Sequence, residues 1–94
     1  MFKITKEAFF MNQEKYKLFL KDTNHTEKSI ESRVARLKKV EKIFQIDVDS
    51  IIYDETKVYE ILDKLKTQNL DSSNQNLANA LRTYYECITG NKLK

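Results

Sequence analysis

The chain is 94 residues long, 40% hydrophobic and 33% charged, with a formal net charge of +3. That is the length of one domain, and residues 1–94 are read as a single one. The balance of apolar and charged side chains excludes a disordered chain, and no apolar run approaches the roughly 20 residues of a membrane-crossing helix.

Charges flank the very short apolar patch of residues 1–15, which is not the pattern of a secretory signal. A cytoplasmic location and no membrane partner are therefore expected. There is no proline and one glycine, Gly90. The two residues that most often punctuate helices are thus nearly missing, which permits long helices and argues against a hairpin-rich β fold.

In chain order, Thr5 is placed to cap a first helical stretch over residues 6–11, and Asn12 divides it from a firmer helix over residues 13–21. Phe9, Phe10, Tyr16, Phe19 and Leu20 supply the apolar groups of the two pieces together, at mixed spacing. Residues 22–26 read as a polar loop. Thr26 is an N-cap with Glu27 at the positive helix end, and a second helix runs over residues 27–44. Ile30, Val34, Leu37 and Phe44, with Val40 at the margin, fall within an arc of about 120° at helical spacing.

Gln45, Ile46 and Asp47 end that helix. Asp47 or Asp49 then caps a short turn containing Val48, Ile51 and Ile52. Asp54 or Glu55 opens a third helix that reaches about Lys66, with Val58, Ile61, Leu62 and Leu65 as its stripe. Residues 67–74 form a polar connection, and Ser73 is expected to begin the last helix. Its apolar face holds Leu77, Ala80, Leu81, Tyr84 and Ile88, and Gly90 stands where a left-handed C-terminal cap belongs. The fold class is all-α. None of the four main helices is self-sufficient, so they must pack as a compact bundle.

Catalytic and cofactor chemistry finds no foothold. A phosphate-cradling loop needs several glycines. Cys87 is the only cysteine and lies in the apolar stripe of the last helix, so it is read as a buried, inert thiol. With His25 as the only histidine, the usual four Cys or His ligands of a structural zinc site are not there. Asp47 and Asp49 lack the glycine and terminal glutamate of a calcium loop and are read as helix caps. The expectation is a protein that is not an enzyme and takes no cofactor and no metal.

The charge is segregated along the chain. Residues 27–44 carry six Lys or Arg against three Glu, a balance of +3, and residues 45–66 carry three Lys against six acids, a balance of −3. On the second helix, Lys28, Ser32, Ala35, Lys39 and Lys42 follow one stripe opposite the apolar arc, with Arg36 beside it. Small residues among cations let a phosphate backbone approach and release its counterions. Glu27, Glu31 and Glu41 dilute this stripe. The last helix has a polar face of Gln75, Asn79, Arg82 and Glu86, side chains that can bond base edges or phosphates. The acids of residues 45–66 read as a solvated face, and the tyrosines as core and boundary packing.

The order of these features resembles a known family. Tyr16-Lys-Leu-Phe-Leu20 is followed by Thr26-Glu-Lys-Ser-Ile30 and Ser32-Arg-Val-Ala-Arg-Leu37. An aspartate-rich connection leads to Val58-Tyr-Glu-Ile-Leu62, and Asn76-Leu-Ala-Asn-Ala-Leu-Arg82-Thr-Tyr-Tyr85 closes the pattern. This resembles the SAM-like core-binding domain on the N-terminal side of phage-type integrases, the tyrosine recombinases, and related N-terminal modules of restriction-type nucleases. The resemblance spans about residues 13–90. It implies a helical module that packs against duplex DNA, with Lys28, Ser29, Ser32, Arg33, Arg36 and Lys39 of the second helix and Asn79 and Arg82 of the last helix at the contacts, to which the basic stripe adds Lys42. The recombinases' Arg-His-Arg-Tyr catalytic domain is absent from this sequence, so a non-catalytic DNA-binding module is expected, cut from or attached to a longer protein. A competing reading is a small stand-alone phage or mobile-element protein that binds or inhibits a larger protein. The separation of basic and acidic segments favours it too, because opposite faces can steer a partner.

Overall fold

The computed structural model describes residues 12–93, so the stretch expected to be helical over residues 6–11 and its Thr5 cap lie outside the described residues. Five helices follow in order: α1 (Gln13–Asp22), α2 (Glu27–Phe44), α3 (Val48–Ile51), α4 (Glu55–Thr67) and α5 (Asn76–Thr89), and the described residues contain no strand. The all-α class and the four main helices stand as expected, and the turn after α2 becomes the one-turn α3.

Local chemistry sets most boundaries. Thr26 caps α2, its hydroxyl accepting the Ser29 N–H at 3.1 Å. Asp47 and Asp54 cap α3 and α4, accepting the Asp49 and Lys57 N–H groups. Gly90 ends α5 in the left-handed region at φ 78°. At the end of α1 sits His25, whose Nδ1 lies 3.1 Å from the Leu20 carbonyl and 3.0 Å from the Thr23 hydroxyl.

One boundary differs. The last helix begins at Asn76, not at Ser73. Gln75 is held in the left-handed region at φ 56°. The capping oxygens come from further back: Asp71 accepts the Leu77 N–H at 2.8 Å and the Ala78 N–H at 2.9 Å. A carboxylate across the helix end stabilises both the orphan N–H groups and the positive end of the dipole. Residues 71–75 are thereby a folded loop rather than a first helical turn.

The core gathers Leu20, Leu37, Val40, Val48, Ile52, Val58 and Leu81, all with no exposed surface. Val40, expected at the margin, is fully buried. Two tyrosines stand among them. Tyr16 of α1 and Tyr84 of α5 are also completely buried and meet edge to face, with ring centroids 5.1 Å apart and planes at 87°. Tyr16 donates its hydroxyl to the Ala80 carbonyl at 3.0 Å, joining α1 to α5 across 64 residues of sequence. Tyr84 donates its hydroxyl to Asp49 Oδ1, joining α5 to α3. Burial pushes the Tyr16 phenol up to about 12, against the pull of the nearby Arg33 charge. Burial and then the Asp49 bond push Tyr84 up as well, so both remain donors throughout the physiological range.

Among the described residues Glu41 is the one buried charged residue, 3% exposed. It was expected to thin the basic stripe on the outer side of α2. Its position, four residues after Leu37 and three before Phe44, instead puts it in the middle of the apolar arc. Glu41 Oε2 accepts the Val48 N–H at 2.9 Å, so a side chain of α2 holds the first residue of α3. Its other oxygen, Oε1, is buried without a hydrogen-bond partner, as is Asp49 Oδ2. Burial raises the Glu41 carboxyl to about 7, with the Val48 bond opposing and Asp47 and Asp49 adding to the rise.

The linkage has a definite sign. A carboxyl near 4.5 in the unfolded chain and near 7 in the folded one stabilises the fold fully below about pH 4.5. That contribution is lost as pH rises through 7. Glu41→Gln preserves the acceptor for Val48 and removes the ionisation. Urea unfolding from pH 4.5 to 8 should show the wild type losing stability across this window relative to the variant, by an amount on the order of 3 kcal/mol. Parallel pH profiles for the two proteins would contradict a neutral buried Glu41.

Candidate nucleic-acid interface

An α-helix of 18 residues is about 27 Å long, enough to present several side chains along one line. Burial of Ile30, Val34, Leu37 and Val40 fixes which side of α2 faces inward. The opposite side is thereby committed to water. Lys28, Glu31, Ala35, Lys39 and Lys42 are its exposed residues, spaced three or four apart, with Glu27 of the first turn exposed beside them. This crest carries three cations and one acid. Four members of the expected stripe stand on it. Ser32 is half-buried on the flank, and Glu31 occupies the crest in its place.

The remaining expected residues of α2 lie on the flanks. Ser29, Ser32 and Arg36 are half-buried, as is Lys38 on the other side. At about 100° per residue, Ser32, Arg36 and Ser29 turn progressively away from the crest. Arg33 turns furthest. It falls inside the apolar arc, about 40° from Leu37, so it cannot share a face with Lys39. Its stem follows the helix surface and its Nη1 donates to Thr83 Oγ1 of α5 at 3.2 Å. Thr83 passes the bond on, its hydroxyl donating to the Asn79 carbonyl at 2.8 Å. The grouping of Arg33 with the exposed cations is corrected by this geometry.

On α5, Asn79 and Arg82 are both exposed. They are not equivalent. Asn79 lies one turn before Thr83 and so borders the α2 edge where Arg33 arrives. Its amide Nδ2 reaches the Asn74 carbonyl at 3.5 Å. Arg82 turns the other way. It lines a small cavity of about 290 Å³ with Lys66, Asp71, Ser72 and Gln75, on the α4 side of α5. The structure thus brings Asn79 to the α2 side and sends Arg82 over the loop before α5.

The other reactive side chains are placed for structure. Cys87 is buried, with its thiol 3.7 Å from the Lys15 carbonyl, and burial pushes its ionisation up, away from a reactive thiolate. Of the acids expected on a solvated face, Asp54, Glu55, Glu60 and Asp63 are exposed, interspersed on α4 with the exposed Lys57, Lys64 and Lys66, whereas Asp47 and Asp49 are half-buried. Among the described residues, no three His, Cys, Asp or Glu side chains are grouped to hold a metal ion, and no helix is long and apolar enough to cross a membrane.

Two residues of consequence show their roles only in the folded chain. Glu41 was legible in principle, since its register with Leu37 and Phe44 marks it as inward. Thr83 carried no signal, because its role depends on which residue of α2 packs beside it. Comparison with known proteins adds no relative: no family model, no curated protein and no solved structure matches the chain.

Exposed lysines contribute little to stability, and on the crest Lys39 and Lys42 do no more than line, with Ala35, Lys38 and Ile43, an open cavity of about 1010 Å³. Lys28→Ala, Lys39→Ala and Lys42→Ala should each leave the unfolding free energy within about 0.5 kcal/mol of wild type in urea titrations. A loss several times larger for any of them would show that the side chain is engaged in the fold and not presented to solvent.

Proposed function

We propose that this chain is a non-catalytic DNA-binding module that contacts duplex DNA through α2, in the manner of the SAM-like core-binding domains its sequence resembles. The carrying observation is the crest of α2, where Lys28, Lys39 and Lys42 stand exposed around the small Ala35 on a face that packing leaves in water. Three ammonium groups on one rigid helix can neutralise phosphates, and alanine at the centre lets the backbone of the duplex come close. Arg36 and the Ser29 and Ser32 hydroxyls on the flank extend the surface toward α5. α4 carries three acids and three lysines, all exposed, so it offers a duplex no net positive charge, and the cationic excess lies on α2.

Phosphate contacts of this kind carry little sequence information. The expected activity is therefore salt-sensitive and weakly sequence-specific, and the catalytic step, where one exists, belongs to another domain.

A second reading, a phage or mobile-element factor that binds a larger protein, is favoured by two apolar side chains in solvent: Leu18 is 66% exposed and Tyr53 is 75% exposed. Tyr53 is followed by Asp54 and Glu55, so such a partner would offer an apolar spot rimmed by cations.

Titration of a fluorescent duplex at two salt concentrations separates the readings. DNA binding should weaken steeply with salt, with a log–log slope of about −0.9 per phosphate contact. The triple change Lys28→Ala, Lys39→Ala, Lys42→Ala should flatten that slope by about two to three and weaken binding evenly across sequences. Binding that survives the triple change with its slope intact would reject the α2 crest as the interface.

A further inference from the structure

Arg33 is an unusual residue to find where it is. Its register puts it in the arc of α2 that holds Ile30, Leu37 and Val40, a place where an apolar side chain would need no partner. A guanidinium there must keep its donors satisfied or remain solvated. It is half-buried, and it reaches the Thr83 hydroxyl of α5 at 3.2 Å. The Tyr16 hydroxyl of α1 is close enough for the Arg33 charge to act on it. Arg33 therefore sits where α1, α2 and α5 converge, and its only polar reach across to α5 ends on the residue that also bonds the Asn79 carbonyl.

We propose that Arg33 is a positioning residue and not a DNA contact: through Thr83 it locks the polar face of α5 against α2, so that Asn79 meets the same duplex as Lys39. This rests on the DNA-binding reading. The physical argument is one of rigid-body register. Helices packed through apolar side chains alone can slide and roll by small amounts with little penalty. A directional hydrogen bond between two of them has one length and one angle. The Tyr16–Ala80 and Tyr84–Asp49 bonds set α5 against α1 and α3, and the Arg33–Thr83 bond sets its roll against α2 near Asn79, one helical turn away. Without it, the α2 crest still finds phosphates, and the α5 amide loses its place relative to them. Preorganisation of this kind lowers the ordering needed on binding.

The roles of clamp and contact separate cleanly in a titration. Thr83→Val removes the hydroxyl with almost no change of shape, Thr83→Ser keeps it, and Arg33→Gln removes the guanidinium. Each variant is first confirmed as folded by its thermal melt, and duplex affinity is then measured at two salt concentrations. Thr83→Val should weaken binding about three- to ten-fold, the worth of one hydrogen bond, with the wild-type salt slope unchanged. Thr83→Ser should bind as wild type. Arg33→Gln should weaken binding to a similar degree, and the double variant should be no worse than either single one. Wild-type affinity for Thr83→Val overturns the proposal. So does an Arg33→Gln slope reduced by about 0.9, which marks a direct phosphate contact. A wild type that binds no duplex at either salt concentration overturns the DNA reading itself and the clamp with it, and that outcome is visible before any variant is examined.

Discussion

Two tyrosine rings lie edge to face at the centre of this molecule, and each carries its hydroxyl to a different helix. Tyr16 reaches the backbone of α5 and Tyr84 reaches Asp49 in α3. Both side chains are completely buried, so both hydroxyls depend on those acceptors. The pair therefore does more than fill volume. It specifies which turn of α1 faces which turn of α5, and it draws the one-turn α3 in against α5. A short helix has little stability of its own, and α3 is held by its neighbours: Tyr84 from α5 on one side and Glu41 from α2 on the other.

Glu41 and Arg33 are complementary exceptions to the two-faced character of α2. Both occupy the inward side of a helix whose other charged residues point to water. Glu41 serves the C-terminal half by holding the Val48 N–H, and Arg33 serves the N-terminal half by reaching Thr83. Neither is a salt bridge to the other, and neither is available to a ligand on the crest. Their formal charges cancel, so the +3 balance of α2 rests on the crest of three lysines and one glutamate together with the half-buried Arg36 and Lys38 and the exposed Glu27.

The proposed DNA-facing surface is then a remainder of packing. Once the apolar arc is turned inward, the crest of α2 is committed to solvent whatever its composition, and its composition is cationic with a small residue at the centre. α5 contributes unequally, because Asn79 borders α2 while Arg82 leans over the cavity before α5. A DNA-binding reading built on this geometry relies on one helix for charge and on the register between two helices for anything finer.

The sequence alone determined the helical class, the extents of α2 and α4, the Thr26 cap, the Gly90 terminus and the solvent side of α2. Each of these follows from interactions within a few residues or from the period of the apolar positions, which any chain carries in one dimension. Tertiary structure decided the rest. The start of α5 moved from Ser73 to Asn76 because Asp71 reaches over an intervening loop to cap it. Glu41 was withdrawn from the charged stripe because its register outranks its charge once α3 supplies a donor for it. Arg33 was withdrawn from the exposed cations because Thr83, 50 residues away, offers an acceptor at the helix junction. Partners so distant in sequence leave no mark in local spacing, and which of them meet is settled only when the helices pack.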